Sequence, residues 1–278
     1  MSHFSKLNWR LFLSEAFFFS LAQALGLFSA AKMSVLFKTA EVRPVQTSVL
    51  DILIMLAVGT AFTLIFLRFS KSALPYKIIF LLVMFFGMQA FFSLFLSELM
   101  ASGAALLMIL ARIFTPFILV HNLVLVFGVS AVGAMLGMSL NPWTAVVVLL
   151  VLSVYDYIAV YKTKHMVKMA KEMIERGAVF ALILPEKPVH YFESAPKIKG
   201  PQEGIFFLGA GDLVFPLVMS ASVFSGVGLA AAVITAAFSV FGLFLTHFLL
   251  SVQEKRAPMP ALPPIALLTI IGFFISLL

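Results

Sequence analysis

The sequence predicts an all-α integral membrane protein of nine transmembrane helices, with its N-terminus inside and its C-terminus outside. Three observations predict it. Of the 278 residues, 62% are hydrophobic and 11% charged, with a mean hydropathy of +1.11, where a soluble domain carries roughly 45–50% apolar and 25% charged residues. Nine apolar runs, near 11–31, 48–67, 76–96, 99–114, 117–138, 142–161, 205–225, 228–250 and 261–277, approach the ~20 residues that cross a bilayer. With the N-terminus inside, 16 of the 19 Lys and Arg fall in inner segments and only Lys32, Lys38 and Arg43 in outer ones, as the positive-inside rule requires.

The elements follow in order. Lys6 and Arg10 precede the first run, which ends in Ser29-Ala30-Ala31 like a cleavable leader, but about 20 residues exceeds the 7–15 of a signal-peptide core, so a retained helix is expected. The stretch from Leu99 to Leu140 contains Arg112, Pro116, His121 and Asn122. It divides at Thr115-Pro116, because proline disfavours helix before it and starts the next helix well. After six spans over 1–161 comes a polar inner loop, 162–204, with eight Lys/Arg, five Glu and four prolines. Its beginning, Met166 to Arg176, reads as a continuation of the sixth helix and the rest as a flexible cytoplasmic linker. Spans seven to nine then occupy 205–278.

Composition also excludes functions. The net charge of +7 is explained by inner loops facing anionic headgroups, so no nucleic-acid partner is expected. The absence of cysteine removes thiolate catalysis and Cys-bound zinc. Five scattered histidines form no i, i+4 pair, so neither metal nor cofactor is expected.

The 12 acids carry the chemistry. Seven lie in loops. Asp51 and Glu98 sit at outer helix ends, and Glu15, near Trp9 and Arg10, reads as interfacial. Asp156 and Asp212 remain, about 9 Å and about 13 Å from the inner ends of the sixth and seventh spans at 1.5 Å per residue. A charge at that depth costs at least about 2.5–3.5 kcal/mol, and neither span offers Lys, Arg or His. The expected partner of each aspartate is the other. Two such carboxyls cannot both ionise a few ångströms apart; sharing one proton, they have the apparatus to activate water and protonate a carbonyl. Position alone leaves three readings level: this hydrolysis, a proton or cation path in a channel or ion-coupled transporter, and a structural hydrogen bond between helices.

Local sequence separates them. Asp156 ends Ser153-Val154-Tyr155-Asp156, Asp212 ends Gly209-Ala210-Gly211-Asp212, and Pro260-Ala261-Leu262-Pro263 opens the ninth span. Gly209 and Gly211 clear space beside Asp212. Tyr155 has a ring and a hydroxyl to steady the site. Pro260, Pro263 and Pro264 withdraw backbone donors and leave non-helical chain, tolerated at membrane depth only beside protein or water. These YD, GxGD and PAL motifs, in this order, resemble those of the presenilin and signal peptide peptidase family of intramembrane aspartyl proteases. Ala159-Val160 after the first motif looks like presenilin, whereas Pro216 looks more like the signal peptide peptidase branch.

The resemblance implies a nine-span fold and hydrolysis of peptide bonds within transmembrane segments, with Asp156 and Asp212 catalytic. Tyr155, Gly209, Gly211, Pro260, Ala261 and Leu262 would support the site or bind substrate. An unwound substrate is expected to lie as a strand beside backbone near Pro260 to Leu262. The expected partners are transmembrane-helix substrates and membrane lipid, without obligatory accessory subunits and with homo-oligomers allowed. The expected location, again by resemblance to microbial homologues, is the plasma membrane of a microbial cell. Presenilin's long hydrophobic insertion, where that protein is cut, has no counterpart in the inner loop.

Overall fold

The computed structural model describes residues 8–41, 47–69, 72–115, 117–193, 204–253 and 258–278. They form ten α-helices, α1 (Trp9–Thr39), α2 (Val49–Phe69), α3 (Leu74–Phe92), α4 (Glu98–Phe114), α5 (Ile118–Met138), α6 (Pro142–Tyr157), α7 (His165–Glu175), α8 (Ala210–Gly226), α9 (Leu229–Val252) and α10 (Leu262–Ile275), with strands β1 (Ala181–Pro185) and β2 (Ile205–Gly209). Five helical stretches are long and apolar enough to cross a membrane: Trp9–Thr39, Leu74–Phe92, Ile118–Met138, Pro142–Lys162 and Leu229–Val252; Ala210–Gly226 and Leu262–Ile275 are apolar but shorter.

Helix ends follow local chemistry. The Asn141 side chain accepts from the Thr144 N–H at 2.9 Å, with Pro142 in the first turn, a well-formed start for α6. Ser48 and Asp51 exchange bonds at the start of α2, Asp51 N–H to Ser48 Oγ at 3.2 Å and Ser48 N–H to Asp51 Oδ2 at 3.0 Å. Asp51 is thereby a capping residue. α4 ends at Phe114 and α5 begins at Ile118, close to the expected break, while Pro116 itself lies outside the described residues.

α5 sits at the centre. Two-thirds of its apolar window is buried, against 33–44% in the other four spans, and it packs on α1, α3, α4 and α8. Small residues permit this, as lipid-embedded interfaces require. A Cβ at Gly137 would stand 2.5 Å from the Val218 carbonyl oxygen, and one at Gly242 of α9 would stand 2.6 Å from Ile265 Cα of α10. α10 also rests on α6 and α8, and α6 rests on α8. The apolar core divides accordingly, one part around α1, α3, α5 and β1 and another around α6, α8, α9 and α10.

The inner segment departs from the sequence expectation. α6 does not run on into α7: a π-helical turn, Ile158–Lys162, follows Tyr157, and Lys164 at φ +54° breaks the chain direction. Beyond α7 the chain is no linker where it is described. β1 pairs antiparallel with β2 in the register Ala181↔Gly209, Ile183↔Phe207 and Pro185↔Ile205, and Leu182, Ile183 and Leu184 are buried. A 3-10 turn, Pro188–Phe192, follows β1. The fold is therefore mostly helical with one small sheet, and Ile205–Gly209, assigned from sequence to the seventh span, is a strand. Hydrophobic burial explains this, since five apolar residues in a polar segment form a core strand once a partner strand covers their backbone.

Candidate active site

Asp156 is the penultimate residue of α6 and is buried. Its Oδ2 accepts a hydrogen bond from the Leu262 N–H at 3.3 Å. The start of α10 makes this bond: Leu262, Pro263 and Pro264 open the helix, and because proline has no N–H, only Leu262 among the three retains a donor. That donor meets the carboxylate.

Asp212 is the third residue of α8, not deep within a span as the sequence suggested, because the helix begins only at Ala210. Its half-buried carboxylate lies against Gly209. A Cβ on Gly209 would stand 3.1 Å from Asp212 Oδ2, so the glycine gives the carboxyl room to fold back over the helix start. α6 and α8 pack on one another, so the helix end that carries Asp156 and the helix start that carries Asp212 belong to elements in contact. The structure thus brings together Asp156, Asp212, Gly209 and Leu262.

The other expected residues take different places. Tyr155 is more than one-third exposed and points its hydroxyl at His165 Nε2 of α7, 3.0 Å away. Gly211 is exposed, and a Cβ there would meet only the Phe215 ring, at 3.3 Å. Pro260 is buried, and the Ala261 carbonyl accepts from Thr246 Oγ1 at 3.4 Å. The Leu262 N–H is thus engaged by Asp156, while Thr246 Oγ1 makes its shorter bond to the Gly242 carbonyl, at 3.0 Å.

Two clusters escaped the sequence reading. Glu15 is buried rather than interfacial, and its Oε2 lies 2.9 Å from His247 Nδ1, joining α1 to α9. Nearby, burial pushes the Tyr191 phenol above its usual range. Gln23 adds a link from α1 to the active helix, Nε2 to the Leu213 carbonyl at 3.4 Å.

The second cluster holds the sheet. Asn122 of α5 donates to the Ile183 carbonyl at 2.8 Å and accepts from the Ile183 N–H at 2.9 Å. His121 Nε2 meets the Ala181 carbonyl at 3.0 Å, and its Nδ1 accepts from Arg112 Nε at 3.2 Å. Ile183 therefore turns its backbone away from β2 and forms a non-hydrogen-bonded pair with Phe207. The outer edge of β1 is occupied by α5. By the same alternation, Ile205, Phe207 and Gly209 direct their backbone groups to the far side of β2. Among the described residues, no three His, Asp or Glu gather as metal ligands would.

A largely apolar, helical fold in which two packed helices carry a buried and a half-buried carboxyl has the make-up of a class, the membrane-embedded aspartyl hydrolases. The class narrows further. Residues 16–278 match the family of signal-peptide peptidase, presenilin aspartyl proteases, and the chain belongs to that family and is an intramembrane aspartyl protease. Two solved structures share its fold, each of a presenilin family intramembrane aspartate protease. The one in space group C222 has a TM-score of 0.64 at 22% identity, covering 96% of this chain and 98% of the other. The one in space group P2 has a TM-score of 0.66 at 21% identity, covering 95% and 96%. No curated protein sequence matches the chain.

Proposed function

We infer that Asp156 and Asp212 are the catalytic pair, hydrolysing peptide bonds within transmembrane segments of other proteins. The observation that carries this reading is the packing of α6, which ends in the buried Asp156 held by the Leu262 N–H, on α8, which begins with Asp212. Glu15, the other buried acid among the described residues, is engaged by His247.

In the proposed cycle the pair holds one proton. The ionised carboxyl takes a proton from water as its oxygen attacks the scissile carbonyl, while the neutral carboxyl protonates the carbonyl oxygen. The tetrahedral diol then collapses, the C–N bond breaks and the amine leaves with a proton from the pair. With Oδ2 of Asp156 committed to Leu262, Oδ1 is the oxygen left for this work.

Substrate must be extended first, because a helix hides its carbonyls in i to i−4 bonds. The outer edge of β1 is closed by Asn122, so a substrate strand would add on the β2 side, and β2 runs directly through Gly209 into the helix of Asp212. Substrate addition is accordingly assigned to β2 in place of Pro260 to Leu262. The charge distribution supports an inner position for the 162–204 side, with N-terminus inside and C-terminus outside. A multi-pass protein of the plasma membrane of a microbial cell, acting without accessory subunits, completes the reading.

The test is cleavage of a single-span reporter by the purified chain in vesicles, followed by mass spectrometry of the products. Asp156→Asn and Asp212→Asn are each expected to lower the rate by at least about 10²-fold, the scale of lost acid–base catalysis, with unchanged thermal unfolding. Retained cleavage in either variant removes that residue from the mechanism.

A further inference from the structure

α7 is an amphipathic helix between two tethers. At its start the Tyr155 hydroxyl bonds His165 across a T-shaped ring contact of 5.8 Å. At its end the Arg176 guanidinium stands 4.6 Å over the Tyr76 ring of α3. At 100° per residue, Met166, Met169, Met173 and Ile174 share one face, and Lys168, Lys171 and Glu175 the opposite one. Ile174 is buried, but the three methionines are only half-buried. The protein therefore covers only part of the apolar face.

The surroundings match a bilayer surface. Lys162, Lys164, Lys168 and Lys171 are exposed, while Glu175 lies 4.0 Å from Lys171 and Glu172 lies 3.7 Å from Arg176. Lys162, Lys164 and Lys168 remain as a basic run outside those pairs. Tyr157 and Tyr161, about half exposed, stack edge to face at 5.1 Å at the same end of α6, and amphipathic rings of this kind sit at headgroup depth. Val189 and Phe192, on the 3-10 turn that follows β1, are 69% and 62% exposed, two apolar groups with little protein over them.

We propose that α7 lies in the headgroup layer of an anionic bilayer, with its methionine face toward the acyl boundary and Lys162, Lys164 and Lys168 on the acidic headgroups. Charge complementarity selects the occupant: apolar contact alone serves any bilayer, but three lysines add attraction only where lipids are anionic, about fivefold in the docking equilibrium constant for each lysine near the surface. Docking fixes the segment that follows Asp156, because the Tyr155–His165 bond spans the π turn. This inference rests on the geometry of α7 and not on the assignment of the catalytic pair.

The chain has no cysteine, so Met169→Cys introduces one unique site for a nitroxide label in the full-length protein. Vesicles of phosphatidylcholine alone are compared with vesicles containing phosphatidylglycerol. Docking predicts that the label in anionic vesicles is reached by oxygen and shielded from a water-soluble nickel chelate. That shielding should fall severalfold in neutral vesicles, in 1 M salt, or when Lys162, Lys164 and Lys168 are all changed to Gln. Hydrogen exchange of residues 165–175 in the unmodified protein gives the second readout, with slower exchange expected in anionic vesicles. Equal chelate access in both lipids, or identical exchange, overturns the proposal; either outcome implies that the face is left to water or to a protein. Neither readout uses cleavage, so loss of the proposed catalytic roles would leave the result intact.

Discussion

Replacing Asn122 by Ala tests whether α5 holds the sheet in place. Asn122 and Ile183 are both fully buried, and the side chain satisfies both backbone groups of Ile183, at 2.8 and 2.9 Å. Alanine leaves a buried donor and a buried acceptor without partners. Each costs about 1–3 kcal/mol, so the variant should lose about 2–6 kcal/mol at this point. If the loss appears as local opening of β1, exchange of the Ile183 amide should accelerate by roughly 30-fold to 10⁴-fold, with amides of α9 unchanged. Because β2 enters α8 three residues before Asp212, cleavage of the reporter should fall as well. Hydrogen exchange with fragment mass spectrometry reads the first effect, and product formation the second. An Ile183 amide that exchanges at the original rate in Asn122→Ala would refute the claim that this side chain secures the strand.

The start of α10 and the Glu15 pair give further tests. Leu262→Ala keeps the N–H on Asp156 and Leu262→Pro removes it; the difference in cleavage between the two should reflect a hydrogen bond to a charged group, about 1.5–3 kcal/mol, and equal activity would count against the bond. Glu15→Ala should destabilise the protein by about 1–3 kcal/mol by leaving Nδ1 of the buried His247 without its partner, read as a lowered unfolding temperature in detergent. Glu15→Gln, which keeps a hydrogen-bonding partner, should lose clearly less, and equal losses would reduce Glu15 to packing.

The apolar helices and the buried carboxyl of Asp156 were legible because both are statements about length and solvation. A run of about 20 apolar residues has few alternatives in a bilayer, and Asp156 had no basic neighbour on its own span. The hairpin was not legible. Ala181–Pro185 is too short for periodicity to distinguish strand from helix, and Ile205–Gly209 merges with the apolar run of α8, so the helix start was placed five residues early and Asp212 too deep. Glu15 was misread for another reason. Its partner His247 is 232 positions away, and only packing of α1 on α9 shows that a carboxyl one turn inside a span is enclosed. Asn122 and His121 stood out as polar residues in an apolar helix, but their function depends on a strand the sequence did not reveal.

The single donor at the start of α10 has an evolutionary corollary. Orientation of a membrane acid is usually entrusted to a side chain, which one substitution can delete. At position 262 it is entrusted to the peptide backbone, which nineteen of the twenty amino acids supply equally. What the side chain of Leu262 adds is buried apolar volume, whereas Pro263 and Pro264 have no N–H to offer in its place. The carboxyl of Asp156 is in this way insulated from drift in the residue that holds it.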